Sequence, residues 1–544
     1  MLNWQYFSLF YTALIVIWLF VYLKSTLFRL HLQRMIFDSF RFPSTKVKGP
    51  SLLTIIQVLL FLQASPKALA EEEPVARARI LTLPSAIELA KEQSPSYRYA
   101  SVLLENRKWQ YRTYRSNFYP QLNLSGVLPE FNKTIEPRLT DNGSLIFINT
   151  HNANSSLQLS LGQEIWFTGG YISINSQVKR LDDFQAEQNQ TRYSSIPATI
   201  TLNQPFFSFN YRAWDRKIAP LRYEEAKRDY WEEMEEISKD ATDHFFRLLL
   251  SQISLQIAEK NVTNNKTLYK VAQGRFEEGK IPENELLQME LAMINSEQNL
   301  EQATLDVESN TLKLKMYLGI TDEAPITLVP PYEIPEFEVN EDLALEQAHK
   351  NRQRVIGFKR ELLEADMRMA RAKGETGFRA DLFASFGLTQ QALEIQEVYH
   401  DPAQQQRIRM GFNLPVMDWD RSASRIGTAK ANQTLVRANV EQQKVNFDQE
   451  IYLNVKRFKV LRKQMLGAKR ADEIAEKRYT ITRSRYLDGK ISILDLNVAT
   501  EERDKATRRY ISSLWDFWAS YYNLRRLTLY DFELNQPLLP EGAS

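Results

Sequence analysis

Cysteine is absent from all 544 residues. That excludes disulfides, thiolate metal sites, a cysteine nucleophile and a lipid-modified N-terminal cysteine. Glycine (18) and proline (21) together make up roughly 7% of the chain, against a usual level of roughly 12%. Few breakers means long uninterrupted helices. Charge of one sign is also missing: 69 basic residues stand against 67 acidic ones, so no net field favours nucleic acid. The five histidines (His31, His151, His244, His349, His400) lie far apart with no ligand spacing. A solvated or core role suits each better than a metal. No serine elbow and no H-E-x-x-H motif occurs. Gly274-Arg-Phe-Glu-Glu-Gly279-Lys280-Ile281 comes near a phosphate loop. It fails because Ile281 offers a metal no hydroxyl, Glu277 and Glu278 repel phosphate, and a helix rather than a strand leads in. The expectation is a protein that is not an enzyme and holds no cofactor or metal.

One phrase appears twice. Arg275-Phe276-Glu277-Glu278-Gly279-Lys280-Ile281 returns as Arg485-Tyr486-Leu487-Asp488-Gly489-Lys490-Ile491, an offset of 210 residues. Aromatic, acidic, glycine and lysine residues recur in order, which marks an internal duplication. Glycine after a helical run is a left-handed stop, and Ser492-x-x-Asp495 reads as a capping box for the next helix. Each copy is therefore the tip of a helix–turn–helix.

Two apolar segments open the chain. Tyr6 to Leu23 is about long enough to span a bilayer. Leu52 to Leu62 follows Lys46 and Lys48 and precedes Ala68-Leu69-Ala70, the pattern of a secretory signal cleaved after Ala70. Two export elements in series are unusual, and the preferred reading starts translation at Met35, with residues 1–34 an over-called start. A true transmembrane anchor is the other reading.

Beyond the leader (1–70), the first repeat covers 71–320 and the second 341–531, separated by the proline-bearing linker 321–340 and followed by a C-terminal tail, 532–544, of which Gln536 to Ser544 is expected to be disordered. Leu83 to about Phe118 and Glu341 to about Thr376 read as helices, with Ala86-Ile87-Glu88-Leu89-Ala90 matching Ala344-Leu345-Glu346-Gln347-Ala348. The period then drops to two. Leu122 and Leu124, Leu157 to Leu161, Ile172 and Ile174, and Ile200 and Leu202 alternate with polar residues in the first half, as do 382–388 and 408–414 in the second. Such strands, expected over about 121–206 and 381–414, have one apolar and one polar face. A soluble sandwich shows the same alternation; export, the lack of cysteine and aromatics at the strand ends favour a transmembrane barrel. Trp166, Phe207, Trp214 and Trp419 are the candidate membrane-interface aromatics. Helices from roughly Trp214 to Phe276 and Ser422 to Tyr486 would span on the order of 90–100 Å. In the returning helices Leu286, Met293, Leu300, Val307 and Leu314, then Ala499, Ala506, Ser513 and Ser520, recur every seven residues, the mark of left-handed supercoiling.

The duplicated Arg-aromatic-x-x-Gly-Lys-Ile tips, Ile493-Leu494-Asp495-Leu496 after the second, and the strand exits Asn203-Gln204-Pro205-Phe206 and Asn413-Leu414-Pro415-Val416 resemble the TolC-like family of outer-membrane efflux proteins. The resemblance covers Leu81 to Asp531. It implies an α+β membrane protein: a homotrimer whose strands form one outer-membrane β-barrel, continued by a long periplasmic α-helical tunnel. It also implies a periplasmic adaptor protein and an inner-membrane transporter as partners, in efflux or type I secretion. On this resemblance the adaptor meets Arg275, Phe276, Gly279, Lys280, Arg485, Tyr486, Gly489 and Lys490. Family members narrow that end with acidic residues. Asp495 falls on one such position, Val498 on the second, and Glu285 is the equivalent of Asp495 in the first repeat. A capping role alone also accounts for Asp495. The family has two strands per half, whereas four are read in the first half here, with a turn at Thr168-Gly169-Gly170; the extra pair either widens the barrel or forms an accessory hairpin. The competing reading is a periplasmic coiled-coil structural protein anchored in the inner membrane, with the strands as a soluble cap. A stand-alone porin gives no reason for helices this long.

Overall fold

The computed structural model describes residues 79–184 and 190–540. Both apolar leader segments and the Ala70 cleavage site lie outside them. Within the described residues the chain runs β1 (Arg79–Thr82), α1 (Leu83–Gln93), α2 (Pro95–Ser116), β2 (Gln121–Leu139), β3 (Leu145–Ile165), β4 (Gly170–Asp183), β5 (Gln190–Phe206), α3 (Tyr211–Glu277) and α4 (Glu283–Leu318). The second half runs β6 (Ile326–Val329), α5 (Glu341–Asn351), α6 (Gln353–Thr376), β7 (Arg379–Ala392), β8 (Ala403–Asn413), α7 (Arg421–Leu487), α8 (Ile493–Thr528), β9 (Tyr530–Asp531) and β10 (Gln536–Pro537).

The duplication is written in the lengths. Helices α3 and α7 have 67 residues each, about 100 Å of rise, and α4 and α8 have 36 each. The helices expected over 83–118 and 341–376 are each broken in two. Ser94 leaves the helical region, accepts from the Tyr97 backbone N–H, and hands over to Pro95, a residue suited to the first helical position. Arg352 makes the equivalent break. Two further departures concern the connections. The linker contains β6, which pairs in parallel with β1; the Gln252 side chain holds this pair by donating to Ile326 O at 2.7 Å and accepting from Leu328 N at 3.2 Å. The start of the tail is ordered, since β10 pairs with β9 and Leu538 N donates to Leu529 O.

The main core lies where the shorter helices lean on the long ones. Phe245, Phe246, Leu248 and Leu249 of α3 pack with Leu314 and Leu318 of α4, Ile451, Val455 and Phe458 of α7, and Leu514 and Phe517 of α8. Each such side chain contributes about 1.5–3 kcal/mol on burial. In α4 the seam alternates three and four residues through Leu286, Met289, Met293, Ser296, Leu300, Ala303, Val307, Asn310 and Leu314, with Met289, Ser296, Ala303 and Leu314 the most buried. The sequence pattern had shown the large half of this seam. Its other half is mostly small or polar.

Strands β2, β3, β4, β5, β7 and β8 form one antiparallel sheet in that order. The halves join where β5 meets β7, Phe206 opposite Ala380. Gly169, with φ of 76°, turns β3 into β4 at the expected place, because a left-handed residue there costs glycine nothing. Strands β2 and β3 are longer than the alternation suggested; they continue to a turn closed by Thr140 and Ser144.

Candidate functional site: sheet face, girdles and tips

Register aligns the apolar side chains of all six strands on one face. Leu122 lies opposite Leu161, Leu161 opposite Ile174, Ile174 opposite Ile200, and Ile200 opposite Phe386. Further along, Leu202 faces Ala384, and Ala384 faces Ile408. This face is bare: Ile408 is 79% exposed and Phe412 77%. Among the described residues no second sheet covers it, as a sandwich would require, and the alternation fits the pattern of barrel strands. The other face is polar and cross-linked by its own side chains. Ser160 Oγ donates to Asn175 Oδ1 at 2.6 Å, and Asn175 Nδ2 to Ser173 Oγ at 3.0 Å. Arg407 and Arg409 project from this side of β8, opposite Ser385 and Phe383.

The aromatics singled out from the sequence gather at the helix end of the sheet. Trp166 follows β3, with the Arg216 guanidinium 3.8 Å from its ring centroid and its carbonyl accepting from Asn210 Nδ2 at 2.9 Å. Phe207 follows β5 and meets Phe378, which in turn meets Phe412. Trp214 lies in the first turn of α3 beneath Lys217, and Trp419 is 88% exposed before α7. A second cluster at the far end was missed: Phe131, His151 and Phe184 pack ring to ring at 5.1–5.9 Å. Strand β2 runs from Gln121 to Phe131 between the two clusters. At about 3.3 Å per residue and a 35–45° tilt that is roughly 25 Å, the height of an outer-membrane apolar band between aromatic girdles. The clue lay in Phe131, His151 and Phe184, but Pro129 and a run of asparagine and serine obscured it.

At the opposite end of the long helices both tips close identically. Gly279 N donates to Phe276 O at 2.8 Å and Lys280 N to Arg275 O at 2.8 Å; in the second copy Gly489 N donates to Tyr486 O and Lys490 N to Arg485 O, both at 2.9 Å. The glycines have φ of 68° and 73°. Lys280 and Lys490 each bond back to an acid of their own turn, Glu278 at 2.6 Å and Asp488 at 3.1 Å. The tips also touch one another. Arg275 Nη2 donates to Leu487 O at 3.2 Å and its guanidinium lies over the Tyr486 ring. Tyr486 is buried with Leu268, Ala272, Met289, Ile493 and Leu496. Burial pushes its phenol up, Arg275 opposes that shift, and Glu285 reinforces it. Phe276, the repeat partner of Tyr486, is exposed, as is Arg485. Asp495 completes the capping box: its Oδ2 accepts from Ser492 Oγ at 2.8 Å and Ser492 N at 3.3 Å, while its own N–H donates back to Ser492 Oγ. Pro282 caps the first copy without a side-chain bond. Asp495 remains exposed, Glu285 is half-buried, and Val498 is 40% exposed.

Buried ion pairs were a further omission of the sequence reading. Glu235 accepts from Lys91 Nζ at 2.7 Å and Arg525 Nε at 2.8 Å, and nothing in the local sequence marks it. Among the described residues no cluster of acidic and histidine side chains could hold a metal ion, and no helix is long and apolar enough to cross a membrane.

A family model described as outer membrane efflux protein matches residues 171–320. No curated protein sequence matches the chain. Among solved structures, the Campylobacter jejuni CmeC outer membrane channel is similar with a TM-score of 0.59 at 16% identity, covering 82% of this chain and 85% of that one. The Vibrio cholerae outer membrane protein VceC gives 0.56 at 15% identity over 84% and 97%. The open-state Neisseria gonorrhoeae MtrE outer membrane channel gives 0.55 at 14% identity over 82% and 88%. The chain has the fold of these channels, and its resemblance to the TolC-like outer-membrane efflux protein family holds in both sequence and structure.

Proposed function

We propose that three copies of this chain form the outer-membrane conduit of a tripartite efflux or type I secretion system. The six-stranded sheets lie in the outer membrane, and α3, α4, α7 and α8 extend through the periplasm as a tunnel. The paired tips meet a periplasmic adaptor, which couples them to an inner-membrane transporter. The supporting observation is the joining of an uncovered apolar sheet face to helices about 100 Å long that spring from the same strand ends. A lipid-exposed sheet and a rod of compartment-spanning length in one chain fit a pipe better than any soluble role. No covalent chemistry is needed, since polar side chains on the inner face suffice to let solutes pass.

Outer-membrane fractionation, a trimer on gels that dissociates only on heating, and stepwise conductance of purified protein in planar bilayers test the reading. A detergent-independent monomer that passes no ions would refute it. Recovery with inner-membrane fractions would favour the anchored coiled-coil alternative.

A further inference from the structure

The sheet has two ends, and their geometry determines the width of the barrel. Among the described residues the outer edges of β2 and β8 have no strand beside them. Backbone groups left open in hydrocarbon cost several kcal/mol each, so an edge on a lipid-facing sheet needs a partner strand. An even number of alternating strands makes β8 of one copy antiparallel to β2 of the next.

The register within one copy lets these edges fit with their helix-side ends flush. Followed at right angles to the strands, Gln121 on β2 leads to Gly162, Ser173, Thr201, Ser385 and finally Arg407 on β8. Arg407 lies six residues above Asn413, the helix-side end of β8. If that end sits flush with Gln121 of the next copy, Asn413 faces Gln121, Phe412 faces Leu122 and Met410 faces Leu124. The apolar faces then continue unbroken. The stagger is six residues for six strands, so shear equals strand number. That is the proportion of the eight-stranded, shear-8 barrel, whose strands tilt by about 36°, within the range of closed barrels.

Resting on the trimeric reading above, we propose that β8 of each copy pairs with β2 of its neighbour, Met410 opposite Leu124, to close an eighteen-stranded barrel to which every copy gives all six strands. The first hairpin, β2–β3, is then part of the wall and not an accessory flap. Since barrel diameter grows about linearly with strand number, the bore is roughly half again as wide as one built from four strands per copy.

The natural absence of cysteine makes the test direct. Leu124→Cys with Met410→Cys in one chain, oxidised or treated with a short dithiol cross-linker in the membrane, is expected to give a covalent trimer. Met410→Cys with Ile172→Cys or Ile174→Cys, on β4, is expected to give none. Trimers from a β4 pair would mean a four-strand closure with β2–β3 set aside, overturning the proposal while sparing the conduit. A native trimer with no cross-link from the Leu124 pair would also overturn it. Protein that is monomeric in mild detergent and cross-links from no pair would remove the conduit reading itself.

Discussion

Phe276 and Tyr486 occupy one position in two copies of the same phrase, yet one is exposed and the other buried against the opposite tip. The tip sequence was legible because a left-handed glycine and its preceding helix leave a fixed pattern. The asymmetry was not, because it arises when two nearly identical turns share one contact. Asp495 belongs to this scale. Its carboxylate caps α8, and threefold repetition of an exposed acid would also attract cations. Asp495→Asn keeps an acceptor for the cap and removes the charge. Single-channel recordings should show weaker block by multivalent cations added on the tip side; unchanged block would leave capping as the residue's whole role. His244 offers a stability probe. It stacks on Tyr317 at 4.6 Å, and burial first, then Arg247 and Lys313, hold its imidazole below the usual value against the pull of Asp240 and Asp243. Because the unfolded chain takes up this proton first, native stability should fall as pH drops below about 6.5. His244→Phe keeps a ring on Tyr317 and should flatten that part of a pH series of trimer dissociation temperatures.

The helices were readable from periodicity and the scarcity of breakers, with ends close to those observed. What escaped was the second half of the α4 seam. Ser296, Ala303 and Asn310 carry no hydrophobic signal, although Ser296 and Ala303 are buried and Asn310 Nδ2 donates to Ser251 Oγ at 2.7 Å. Small side chains at these layers set how closely α4 approaches its neighbours. Ala303→Leu should therefore overpack the layer at a cost of about 1–3 kcal/mol, read as a lower dissociation temperature. Ala303→Ser should be nearly silent. The breaks at Ser94 and Arg352 were missed for another reason: a cap and a new first turn preserve helical periodicity on both sides. Strands β2 and β3 beyond Phe131 were missed because backbone pairing holds that part of the ladder without a regular apolar alternation.

For the molecule as a whole, the sheet's two faces should respond oppositely to charge. Ile408→Arg places a cation on the apolar face near the middle of the band, at a cost of about 2–4 kcal/mol, and should reduce trimer recovered from outer membranes. Gln405→Arg, on the opposite face beside Gly387, should leave recovery unchanged and alter ion selectivity in bilayers. The channel-like architecture was legible from order and duplication; the paired edges were not, since no sequence pattern reports which strand stands beside which copy. The matched helices, 67 with 67 and 36 with 36 residues, carry a consequence for how such a chain can change. A longer reach cannot be gained one residue at a time in one place. Lengthening a single rod would rotate its seam and leave one tip overhanging the other. Descendants that serve a deeper or shallower compartment should differ by blocks of seven, inserted four times over at matching heights.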